Sequence, residues 1–126
     1  NTLGTPYAQN ASPDSEGALF INNADLSDPK FAKLLGNYAA KYKKDPVINV
    51  LFGYDNMMLV ADAITRAKSA KAEDIVKALE QTRDFQGALG KITADPATHR
   101  PVNFPMIVQK VANGKYVTVD RDVLAK

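Results

Sequence analysis

The residues of this chain that can do chemistry are few and scattered. His99 is the only histidine. It lies in a proline-bounded polar turn with no second ligand at metal spacing, so it reads as a surface side chain and not as a metal or catalytic group. Asp14, Glu16, Asp25 and Asp28 fall in loops and helix caps. Acid–base chemistry needs converging carboxylates, and the sequence offers no such convergence. Gly87-x-x-Gly90 is not a phosphate loop, because no strand precedes it and no lysine–serine pair follows. Its glycines suit a tight crossing and turn. There is no cysteine, which removes disulfides, thiolate nucleophiles and thiolate metal sites together. The expectation is a protein that is not an enzyme, with no catalytic residue, no cofactor and no metal.

The elements that must position any site come next. At 126 residues the chain is sized for one domain. Hydrophobic residues make up 45% and charged residues 24%, which is ordinary for a soluble globular protein. The net charge is +2, with basic and acidic residues interspersed, so nothing argues for nucleic acid or a membrane surface. Lys41, Lys43 and Lys44 suit a solvated helix C-terminus. No apolar run reaches the ~20 residues of a membrane span, and no signal-peptide pattern is present. The first residue is Asn1 and not methionine, which reads as the removal of a leader or of a larger piece of protein.

Thr5-Pro6 predicts a short helix from Pro6 to about Ala11. Ala18 to Ile21 predicts a buried strand. Asp28-Pro29 is a cap followed by proline, and Phe31, Leu34, Leu35, Tyr38 and Tyr42 mark one helical face running to about Lys43. Val47 to Phe52 reads as extended or as a short buried connection. Gly53-Tyr54-Asp55 opens a helix to about residue 67, with Asp55 in its first turn. Its buried face is expected to carry Met57, Met58, Ala61, Ile64 and Ala67. A third helix covers about 72–82, with Ile75, Val76 and Leu79 inward. Phe85, Gly87 and Gly90 punctuate a loop, Lys91 to Thr93 is a short strand, and a polar turn runs from Asp95 to Arg100. Met106 to Val111 and Tyr116 to Val119 form a hairpin about Asn113-Gly114, since both turn positions need positive φ. These elements do not complete a layered core, which suggests a piece of a larger fold.

In this order the motifs resemble the C-terminal part of the type I periplasmic binding proteins of the branched-chain amino-acid-binding group. The resemblance rests on Glu16-Gly17 before the first strand and on Pro29-x-Phe31 leading to Tyr38 and Tyr42. It continues through Gly53-Tyr54-Asp55 with Ala61-Asp62-Ala63-Ile64, and Ala78-Leu79 ahead of Phe85-Gln86-Gly87. Gly90-Lys91-Ile92-Thr93 with Asp95 and the closing hairpin complete it, over about residues 16–119. The resemblance implies an α/β fold of two lobes, each a parallel sheet flanked by helices, with ligand in the cleft between them and a terminal β-hairpin. It implies that 1–21 belong to the second lobe, that 22–84 carry helices packing on the first, and that 85–126 return to the second. The chain is then not a complete domain by itself.

The resemblance also nominates site residues. Phe52 and Tyr54 stand where an aromatic would wall a ligand, Tyr54 adding a hydroxyl; the other reading makes both core residues of the first lobe. Asn1 and Thr2 fall where the family's pocket loop nears the ligand, or form a frayed terminus. Asn22 and Asn23 are hinge residues or a plain strand end. Phe85 and Gly87 mark the second crossing. The implied function is the secreted, periplasmic or extracellular, solute-binding component of an ABC transporter, taking an amino-acid-like molecule or a related organic acid or amide. Its partners would be that small molecule, a membrane permease, and the missing N-terminal part of the same protein or a second copy, with no nucleic acid. A ligand-sensing domain of a receptor or regulator, and a standalone structural module, are the alternatives on the same fold.

Overall fold

Period-two alternation carries the first strand. β1, Leu19–Asn22, turns Phe20 and Asn22 inward and leaves Leu19 and Ile21 exposed, so the expected buried strand is buried on one face only. The structure, a computed structural model, describes residues 14–102 and 104–121. The short helix expected over Pro6 to Ala11 lies outside the described residues. Contacts group the described chain into two compact units. One runs up to Ile48 and resumes at Pro105; the other is Asn49–Phe104. These units divide elsewhere than the expected lobe segments. Residues 85–104 stay with the helices that precede them, because their strands pair among themselves.

In the first unit, Asp28 accepts a hydrogen bond from the Lys30 amide and starts a 3-10 turn at Pro29–Phe31. Helix α1, Ala32–Tyr42, follows directly. Phe31 and Leu35 are buried and Leu34 and Tyr38 are half-buried, as the spacing predicts, but Tyr42 in the last turn, expected on the same face, is exposed. Lys43 closes the helix in the left-handed conformation, its amide bonded to the Ala39 carbonyl. Strands β5, Ile107–Ala112, and β6, Lys115–Asp120, pair antiparallel. They turn through Asn113 and Gly114, with φ of 52° and 69°, the pair of positive values that this dipeptide supplies. β1 pairs with β5, giving the order β1-β5-β6.

The inner face of this sheet is half apolar and half polar. Phe20, Val111 and Ala18 pack together with Tyr116, whose ring meets Phe20 edge-on at 5.0 Å. Beside them runs a chain of hydrogen bonds. Asn22 Nδ2 donates to Gln109 Oε1, Gln109 Nε2 to Thr118 Oγ1, and Thr118 Oγ1 to Asp25 Oδ2. Asp25 also accepts from the Ser27 amide, the Ser27 hydroxyl and Arg121. The chain therefore pins the segment after β1 to the far strand of the sheet.

Helix α2, Ile48–Ala67, lies mostly in the second unit. It begins six residues before Tyr54, so Val47 to Phe52 is largely helical and Gly53-Tyr54-Asp55 lies inside the helix. The β-branched Val47, Ile48 and Val50 suggested extension, but burial of Ile48 and Leu51 overrides that weak preference. The covered stripe is Leu51, Asp55 and Ala63, with Leu59 half-buried between them. Met57, Met58, Ala61 and Ile64, expected inward, are exposed, and Ala67 is half-buried. The helix has two apolar faces, and the described residues cover only one. Helix α3, Ala72–Glu80, buries Ala78 and half-buries Ile75 and Leu79 but exposes Val76. Arg66 joins the two helices: it pairs with Asp62 at 2.7 Å and donates to the Ala78 carbonyl and to Thr82 Oγ1. Strands β2, Phe85–Gln86, β3, Lys91–Asp95, and β4, Arg100–Val102, form a second sheet in that order.

The class is mixed helix and sheet, as expected. Among the described residues, however, every strand pair is antiparallel, and the implied parallel pairing does not occur. Three of the four pairs are joined by short turns, which permit only antiparallel neighbours; parallel ones need a crossover of about a dozen residues.

Two outcomes follow from this packing. Burial pushes the Asp25 carboxyl up, but the bonds from Ser27 and Thr118 and the Arg121 guanidinium outweigh it and hold the group below its ordinary value. Its contribution is therefore present above the unfolded-state value near 3.8 and is lost as pH falls through the lower folded value. Denaturant midpoints measured from neutral to acid pH will fall in that window. Asp25→Asn will lower the unfolding free energy at neutral pH by about 2 kcal/mol and flatten the acid limb; an unchanged limb would contradict the clamp. The second outcome concerns the outer sheet face, where Leu19, Ile21, Val117 and Val119 are exposed together. In sedimentation the isolated chain will associate with rising concentration, and Ile21→Lys with Val119→Lys will shift it toward monomer. A sharp, concentration-independent monomer would rule this out.

Candidate functional site

Aromatic side chains on a helix reach the same space only when three or four residues apart, because successive residues turn by about 100°. Phe52 and Tyr54 are two apart within α2 and so point to opposite sides of it. Phe52 is half-buried and stacks on Phe104, with ring centroids 6.0 Å apart and planes at 17°. Tyr54 is 43% exposed. The structure thus places both nominated aromatics on one helix but does not bring them together to wall one ligand. That nomination took the segment before Tyr54 as outside the helix.

Phe52 and Phe104 line a cavity of 530 Å3 within the second unit. Leu59 from α2, Val76 and Leu79 from α3, and Ile92 and Ala94 from β3 complete walls that are almost wholly apolar. The volume falls in the range of small-molecule sites. Asn56, Glu80, Thr82, His99 and Arg100 supply the polar part of its lining. His99, held at φ 56° in the turn before β4, points Nδ1 at Glu80 Oε1 at 2.9 Å and is largely exposed. Among the described residues, no group of three or more His, Cys, Asp or Glu side chains is placed to hold a metal ion. The cavity can take an apolar body.

Below the aromatic segment, α2 carries the one buried carboxylate of this unit. Asp55 is 2% exposed. It accepts from the Ala88 amide at 2.5 Å and from the Leu89 amide at 3.0 Å. The sequence placed Asp55 at a helix N-terminus; it lies in the helix body, and the amides it meets belong to the loop between β2 and β3. The same loop holds Gly87, nominated as a crossing residue together with Phe85. Phe85 sits in β2 opposite Ile92. The spacing of Asp55 and Gly87 in sequence carries no signal of their contact.

In the first unit, Asn22 is buried in β1 opposite Ile107, and its Oδ1 accepts the Asn23 amide. Asn23 Nδ2 donates to the Pro105 carbonyl. Neither has a positive φ in this structure. A smaller cavity of 190 Å3 lies beside them, lined in part by Asn22, Asp25, Gln109 and Tyr116. Among the described residues, no buried side-chain polar atom lacks a partner, so these amides are engaged with each other. Asn1 and Thr2 lie outside the described residues.

No described helix is long and apolar enough to cross a membrane. A comparison with curated proteins found no match. The chain is similar in structure to a leucine-binding protein from Thermotoga maritima, with 33% identity and a TM-score of 0.69 over 85% of this chain and 31% of that one. It is similar to a branched-chain amino acid transporter substrate-binding protein from Streptococcus pneumoniae in complex with isoleucine, at 28% identity and a TM-score of 0.67 over 81% of this chain and 30% of that one. A solute-binding protein of an ABC transporter from R. palustris in complex with benzoate shares the fold, at 20% identity and a TM-score of 0.68 over 90% of this chain and 32% of that one. The chain spans about a third of the length of each. All three are binding proteins. The periplasmic binding protein family pattern runs through residues 2–115, and with that match and the identity to the leucine-binding protein, this chain belongs to the periplasmic binding protein family.

Proposed function

We propose that the chain is part of the solute-binding component of an ABC transporter, working outside the cytoplasm and delivering its ligand to a membrane permease. The ligand is a small amino-acid-like molecule, with an aliphatic amino acid preferred over an aromatic acid. The observation that carries this reading is the family match over residues 2–115. The choice of ligand follows the leucine-binding protein, which at 33% identity stands nearer than the benzoate-bound protein at 20%. Tyr54 fits a ligand wall better than Phe52 does. Its ring is exposed and its hydroxyl is available to a ligand, whereas the Phe52 ring is already stacked on Phe104.

Titration calorimetry with leucine, isoleucine, valine and benzoate tests this on the whole protein to which the chain belongs and on the 126 residues alone. The whole protein will bind one of the aliphatic amino acids with a Kd of about micromolar or tighter. The 126 residues alone will bind none of them tightly, because they span only about a third of the length of the relatives. Tyr54→Ala in the whole protein will weaken binding about tenfold, or ~1.4 kcal/mol. Failure of the whole protein to bind any of the four would remove the transport reading, and an unchanged Kd in Tyr54→Ala would remove Tyr54 from the site.

A further inference from the structure

We propose that Asp55 and Gly87 form a fitted latch that locks the β2–β3 loop to α2 and thereby positions the α2 segment bearing Tyr54. The argument begins with space. A methyl group built at Gly87 would lie 2.7 Å from Asp55 Oδ2, 2.8 Å from its Cγ and 2.9 Å from its Oδ1. The three nearest atoms all belong to one carboxyl group. That group is not the free end of a flexible side chain. It is 2% exposed and held by the Ala88 and Leu89 amides. Any side chain at position 87 must therefore push Asp55 off both amides. The loop itself is tight, with the Gly87 amide bonded to the Gly90 carbonyl at 2.9 Å and Gly90 at φ 151°. Consecutive loop amides turned to one side form a concavity suited to an anion. Here the chain's own carboxylate fills it, from a residue more than thirty positions away.

The latch joins two segments about thirty residues apart, Gly53-Tyr54-Asp55 and Phe85-Gln86-Gly87. Asp55 adjoins Tyr54 in the chain, so the carboxylate that fixes the loop also fixes the turn of helix from which Tyr54 projects. Asp55 is buried and acts through the backbone it holds, so it is a positioning residue. The consequence for binding rests on the transport reading above, but the latch itself does not.

The test is a double-mutant cycle read by hydrogen exchange and rescue. In the 126-residue chain, exchange at the Ala88 and Leu89 amides is followed for the unmodified protein, Asp55→Ala, Asp55→Asn, Gly87→Ala and the double variant Asp55→Ala with Gly87→Ala. Removing a bond to a charged acceptor should speed exchange of these two amides roughly tenfold or more. Asp55→Asn, which keeps the shape of the side chain and one acceptor oxygen, should deprotect one of the two amides more than the other. Gly87→Ala should deprotect both when Asp55 is present and add no more than about twofold when residue 55 is alanine. If Gly87→Ala unfolds the chain, folding of the double variant supports the latch, and failure of both overturns it. Equal effects of Gly87→Ala in the two backgrounds overturn it as well. In the whole protein, ligand affinity should follow the same non-additive pattern. Coupling in exchange without any change in affinity would keep the latch and reject its role in placing Tyr54.

Discussion

A carboxylate cannot be buried without donors, and Asp55 is buried almost completely. That constraint organises the second unit. The donors come from the backbone of a loop that closes a β-hairpin, so the hairpin must stand against the body of α2. The close approach leaves no room for a side chain at position 87. Arg66 applies the same logic at the other end of the helix. Its guanidinium takes the Ala78 carbonyl and the Thr82 hydroxyl, groups at the end of α3, while pairing with Asp62 on its own helix. Arg83 then holds the Glu80, Thr82 and Ala94 carbonyls and ties the end of α3 to β3. Beside its buried apolar residues, the unit is held by side chains that satisfy backbone groups at element ends.

The first unit solves its packing differently. Its inner sheet face carries a small apolar cluster beside a saturated chain of amide, hydroxyl and carboxylate groups. Such a network is stabilising only when every member is satisfied, and each described buried polar side chain here has a partner. The outer face has no cover among the described residues, and neither does the methionine-bearing side of α2. Both units therefore show one finished face and one apolar face open to solvent. A chain that spans about a third of its relatives' length fits that pattern.

Membership of the periplasmic binding protein family and the chemistry of the chain agree in kind. The cavity of the second unit has largely apolar walls, with room for a small apolar body. Three of the ionisable side chains are committed to structure. Asp25 clamps a segment, Asp55 holds a loop, and His99 meets Glu80 in a surface turn.

The sequence by itself determined the local features. Asn113-Gly114 dictated the hairpin because few other residues accept positive φ at both turn positions. Asp28-Pro29 dictated the start of the turn leading into α1, and the spacing of Phe31 and Leu35 dictated its buried face. The ordered motifs also sufficed to place the chain in its family. Only the tertiary structure decided which side of α2 is covered. Methionine, alanine and isoleucine recur on more than one side of that helix, and hydrophobicity alone cannot choose between apolar faces. Only the tertiary structure moved the start of α2 back to Ile48, since local preference for extension yields to burial of Ile48 and Leu51. It alone separated Phe52 from Tyr54, because their opposition follows from the helix that contains them both. It alone joined Asp55 to Gly87, because a hydrogen bond between residues so distant in the chain depends on the fold that brings them together and leaves no periodic trace in the sequence.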